Sequence, residues 1–172
     1  MSSSISNQDT LNFARLQAET YGRMFHDKLA EAKHSNEMLQ ELADVQKALN
    51  DWRACGSKAD TDGNGKTVQQ EAIEKLEALI AKYPDLKDDF AQGLGFAKKY
   101  VENTKTDECN NEIDTMMKTV DNLKDVNSKN DQLVMLELND LHASHNRVAL
   151  QASETMGANN QLLQSIIGNI RG

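Results

Sequence analysis

Apolar residues return in alternating steps of three and four along the last third of the chain. The seam runs through Ile113, Met117 and Val120, and after a polar stretch resumes in phase at Val134, Leu138, Leu141, His145, Val148, Ala152, Thr155, Asn159, Leu162 and Ile166, with small or polar residues at some positions. That spacing is a heptad seam, the pattern of a helix that packs along another helix. At 1.5 Å per residue, a helix over residues 109–170 would be roughly 90 Å long. Only another long helix can cover such a face. The stripe ends in Leu162, Leu163, Ile166, Ile167 and Ile170, apolar residues crowded enough to ask for a partner beyond the chain itself.

A second rod is predicted over residues 7–54. Met38, Leu42, Val45, Leu49 and Trp52 carry the same spacing, and upstream Leu11, Ala14, Ala18, Tyr21 and Phe25 form a second run. Between them the register slips near residues 34–36, as a stutter would make it do. Two long helices around a middle segment predict an all-α fold: a long antiparallel coiled-coil helical hairpin with a smaller, partly irregular helical insert between its arms. The C-terminal arm, over 109–172, is the longer and should overhang.

The insert, residues 55–108, differs in kind. Five of nine glycines (Gly56, Gly63, Gly65, Gly93, Gly95) and the single proline, Pro84, fall within it. The pattern predicts a loop to Lys66, then a helix over 68–82 with Ile73, Leu76 and Ile80 on one face, capped by Thr67 with Gln70 three residues on. A stop at Tyr83 and Pro84 precedes a short helical turn to Gln92 and another over 96–103, broken at the glycines. No strand is needed.

One proline in 172 residues, against a usual share of about 5%, and few aromatics argue against a thick globular core. A formal net charge of -8 makes nucleic acid an unsuitable partner, because no basic patch exists to displace counterions. The longest strongly apolar run is residues 133–136, too short for membrane insertion.

Residues 60–71 fit a twelve-residue EF-hand calcium loop. Asp60, Asp62 and Asn64 stand at positions one, three and five, Gly65 at six, the Lys66 carbonyl at seven and Glu71 at twelve. Against this, position eight is Thr67, the segment before the loop makes a poor incoming helix, and no second loop pairs with it. The competing reading is a turn that leads into a capped helix. Calcium binding, if present, would be weak, and no other cofactor is implied.

Cys55 ends one rod and Cys109 begins the other, so an antiparallel hairpin brings them to one pole, where they form either a disulfide or two separate thiols. A disulfide there would close a loop of about 55 residues, worth roughly 4 kcal/mol in the chain-entropy model. His142 and His145 are three apart on a helix, but no Cys or carboxylate cluster completes a metal shell. Nucleophile triads and phosphate loops do not stand out, so the chain reads as no enzyme.

Residues 1–6 lack the basic start and apolar run of a cleaved signal peptide, and read as an unfolded, export-signal-like start. With a long first helix, a variable middle and a C-terminal coiled-coil helix, this resembles the extracellular filament and tip proteins of type III secretion systems, particularly the EspA/SseB-like filament subunits. The local likeness lies in residues 130–138, in Ala152, Thr155 and Asn159, and in the ending 166–172. The calcium-loop-like segment and the charged first helix depart from that pattern.

The resemblance implies a secreted subunit that polymerises through its helices into a hollow conduit for effector proteins. It also implies a cytosolic chaperone, and needle and translocator proteins as neighbours. The residues expected to carry self-assembly are Leu138, Leu141, Val148, Leu162, Leu163, Ile166, Ile167 and Ile170. Two alternatives stand beside it: a needle-tip or translocator-associated protein of the same system, and a calcium-responsive helical binding protein.

Overall fold

The computed structural model describes the backbone of residues 7–55, 65–99 and 107–170. The fold is all-α. Helices α1 (Asn7–Cys55) and α4 (Asp107–Ile170) are long and pack together, and α2 (Val68–Lys82) and α3 (Lys87–Lys99) lie between them in sequence. By their contacts the residues divide into two compact units. One comprises His34–Asp131, the other Met1–Lys33 with Gln132–Gly172.

The unit His34–Asp131 holds the larger core. Leu42, Val45, Leu49 and Trp52 of α1 are buried with Ala72, Leu76 and Leu79 of α2, Phe90 and Ala97 of α3, and Cys109, Ile113 and Val120 of α4. Helix α2 starts where the sequence signals it. The Thr67 backbone is extended, its hydroxyl accepts the Gln70 N–H at 3.3 Å, and Gln70 Oε1 accepts the Thr67 N–H at 3.0 Å, a reciprocal box for two orphan amides. Leu76 is the centre of its buried face, with Ile73 and Ile80 half-buried beside it.

The helix stops at Tyr83, whose N–H reaches the Leu79 carbonyl at 2.8 Å, because the next residue, Pro84, has no N–H to continue the ladder. Pro84 instead opens a 3-10 turn, Pro84–Leu86, that runs directly into α3. Asp88 and Asp89 in the first turn of α3, and Lys98 and Lys99 in its last, suit the helix dipole.

The expected break after Gln92 does not occur. Helix α3 passes through both glycines as one element to Lys99, and of the helix expected over 96–103 only residues to 99 are described. Gly93 is buried against α4, and a Cβ there would collide with Cγ and Sδ of Met116. The glycine is in place for close helix approach, not to end the helix. Gly95 faces open space and simply carries the cost of glycine in a helix, about 1 kcal/mol.

Helix α1 keeps its three-and-four spacing through Leu11, Ala14, Ala18, Tyr21, Phe25, Lys28 and Ala32, all buried, half-buried or, for Phe25, just exposed. Ala32, Ser35 and Met38 then follow in steps of three before the pattern resumes at Leu42 and Val45. The slip is therefore an insertion of three residues, which overwinds the helices, and not the stutter of four. Ser35, buried at its centre, donates its hydroxyl to the Asn127 carbonyl at 3.3 Å, and Asn127 Nδ2 donates to the Leu123 carbonyl at 2.9 Å. The Ser35 hydroxyl thus bonds the backbone of Asn127, and the Asn127 side chain bonds the backbone one turn earlier, at Leu123.

Candidate assembly surface

In the unit formed by residues 1–33 and 132–172, the seam of α4 follows the sequence register. Val134, Leu138 and Val148 are buried, and Leu141, His145, Ala152, Thr155 and Asn159 are half-buried. Leu138, Leu141 and Val148, expected among the self-assembly residues, are thus placed in a seam within the chain and not on free surface. On the α1 side, Ala14 is buried and Lys28 bridges the helices. Its ammonium lies 2.8 Å from Glu31 and 2.7 Å from Glu137, and those two carboxylates hold its pKa well above the usual lysine range.

The Lys28 to Glu137 pairing sets which part of α4 the described residues of α1 lie beside. Counted back residue for residue along antiparallel helices, Asn7 falls roughly beside Ala158, and α4 continues for about twelve residues, or about 18 Å. Leu162, the next seam position after Asn159, is 57% exposed. It keeps the register of the seam without its burial. The backbone of α4 stays helical to Ile170. The side chains of Leu163, Ile166, Ile167 and Ile170 lie outside the described residues.

This end is also nearly without charge. Residues 148–170 include one charged side chain, Glu154, out of 46 charged residues in the chain. A solvated helix keeps charge on its outer faces, whereas buried interface centres are depleted of it. Large apolar side chains are exposed elsewhere on this unit as well. Phe13 and Leu16 of α1, and Leu133, Leu136, Leu150 and Met156 of α4, are each about half exposed or more. Reading the seam alone missed them; for Leu136 and Leu150, fourteen residues apart on the face away from it, heptad spacing was the available signal.

A cleft of about 300 Å³ opens beside Gly22, lined by Tyr21, Phe25, Leu141, His142, His145 and Asn146. A glycine at this point leaves space that no side chain fills. His142 Nδ1 lies 3.5 Å from Asn146 Nδ2, and among the described residues no group of three metal-binding side chains forms.

Of the calcium-loop candidates, Asp60, Asp62 and Asn64 lie outside the described residues. Lys66 Nζ is 2.7 Å from Glu74, and Glu71 lies in the first turn of α2, its carboxylate 3.5 Å from Lys75. Cys109 is fully buried, and burial pushes its thiol up from the ordinary value while the Arg53 guanidinium pulls the other way. Arg53 is itself gripped by both carboxylate oxygens of Asp114, at 2.7 and 3.1 Å. The side chain of Cys55, the other half of the expected disulfide, lies outside the described residues.

No helix among the described residues is long and apolar enough to cross a membrane. Comparison of the chain with protein-family models, with curated proteins and with solved structures finds no match.

Proposed function

We propose that the protein is a self-assembling structural subunit, secreted and polymerised outside the cell into a helical filament of the EspA/SseB-like kind that its sequence resembles. The observation that carries this reading is the end of α4, where seam position Leu162 is uncovered on a helix stripped of charge over residues 148–170. A second copy is the natural occupant, because the continuing seam accepts a helix at the same spacing that α1 uses. Each aliphatic side chain buried there contributes about 1.5 to 3 kcal/mol.

A head-to-tail contact of this sort extends into an open helix when its rotation does not close. Until export, an uncovered stripe is an aggregation hazard, which is the physical need a cytosolic chaperone meets. Needle and translocator proteins would be neighbours of the assembled polymer. A needle-tip role would use the same end in a closed ring, and electron microscopy tells the two apart.

The test is assembly of the concentrated protein followed by electron microscopy. Leu162→Asp together with Ile167→Asp is expected to abolish polymers while circular dichroism retains full helicity. Polymers of unchanged size would make the stripe irrelevant to assembly and remove the reading. The alternative, a calcium-responsive role, has its own test in calorimetry with calcium. Saturable calcium uptake there would favour that role over assembly.

A further inference from the structure

The outer face of α4 carries a second stripe that is independent of the seam and of the charge-poor end. Leu136, Ala143 and Leu150 recur every seven residues on the side of α4 away from Leu138, Leu141, His145 and Val148. All three are exposed, the leucines at 62% and 64%. Between them, on the same side, stand Asp140 and Arg147, also seven apart and exposed, and neither forms an ion pair among the described residues.

The order of these five residues is symmetric about its centre. Leu136 and Leu150 are equidistant from Ala143, and the acid and the base lie on opposite sides of it. We propose that this face is a twofold interface in which α4 of one copy crosses α4 of a second copy antiparallel, with Ala143 on the axis. Leu136 then packs on Leu150 of the second copy, twice. Asp140 meets Arg147, also twice. The small Ala143 side chain at the crossing lets the two helix axes approach to the short end of the usual 8–10 Å separation.

Charge fixes the orientation. A parallel, in-register pair would set Asp140 against Asp140 and Arg147 against Arg147, and like charges across an interface are strongly unfavourable. The antiparallel pair converts both clashes into attractions. The contact extends from Leu133 to Glu154, about 30 Å of helix, and ends where those two side chains face each other at a polar rim. An interface of that length, with few large anchors, belongs to the smaller class and should give a concentration-dependent dimer. The contact is isologous and closes on itself, so it is distinct from the polymerising contact at the end of α4 and stands or falls without it.

Disulfide trapping tests the geometry directly. In the full chain, Ala143→Cys is expected to cross-link to itself between copies under mild oxidation. Leu136→Cys should not cross-link to itself, because its mate lies about 21 Å along the helix. A mixture of Leu136→Cys and Leu150→Cys should cross-link only to each other, with the linked peptides identified by mass spectrometry. Sedimentation velocity supplies the second arm. Asp140→Arg and Arg147→Asp should each weaken dimerisation by roughly tenfold or more, and the double swap should restore it. All are exposed positions at which circular dichroism should report an unchanged fold. Self-linking of Leu136→Cys, a dimer indifferent to Asp140→Arg, or a wild-type chain that stays monomeric at high concentration would overturn the proposal.

Discussion

Gly93 is a residue whose role depends on one neighbour. Because a Cβ there meets Met116 Cγ and Sδ, Gly93→Ala should destabilise the fold by about 1 to 3 kcal/mol, although alanine is the better helix former. Urea denaturation gives the magnitude. A cycle with Met116→Ala should show the two losses adding to less than their sum, since each change relieves the crowding of the other. Cys109 offers a second residue-scale test. Its thiol is raised in the folded protein by burial, so in reduced protein the unfolded chain loses its proton first as pH climbs. The stabilising contribution is complete below the ordinary thiol value and disappears as pH rises through the folded one. Stability of the reduced protein should therefore fall on the alkaline side, and Cys109→Ala should flatten that limb in melts taken across alkaline pH.

At the scale of elements, α2 is held by its ends. Removal of the Thr67 hydroxyl leaves the Gln70 amide without its acceptor, so Thr67→Ala should cost about 1 kcal/mol, measured as a lowered urea midpoint with unchanged slope. The start and stop of α2 were legible because capping boxes and prolines act locally, through groups a few residues apart in sequence. The seam of α4 was legible from Val134 to Asn159 for a related reason, since a repeated period leaves little freedom of register, whereas near its start Met116 is buried and the expected Met117 only half-buried. Gly93 and Gly95 misled because a glycine that ends a helix and one that admits a methionine from another helix look identical until the neighbour is known. The slip in α1 was found but mis-sized, since Ser35, a polar residue, is the buried one there. The outward leucines escaped because a stripe outside the main seam signals only by its spacing, and a hairpin seam draws the eye first.

Over the whole molecule, the two units differ in how much they bury. His34–Asp131 encloses Trp52, Phe90 and a ring of aliphatic side chains, whereas the other unit buries Ala14, Val134, Leu138 and Val148 along a thin seam. Local opening tracks buried apolar contact, so amides of α4 beyond residue 132 should exchange with deuterium markedly faster than those of 109–123. Equal protection along the helix would mean that the thin seam is held by something other than its own packing. The near absence of charge over 148–170 has one more consequence, which concerns ionic strength. Contacts made by apolar and amide groups have almost nothing for counterions to screen, and salts such as sulfate strengthen them by exclusion from the surface. A crossing held in register by Asp140 and Arg147 is exposed to the opposite pressure, because the screening length contracts to about 3 Å in molar salt. If both proposed contacts form, raising the salt concentration should shift the protein from closed pairs toward longer assemblies, and the medium would select between the two proposed ways of meeting a copy.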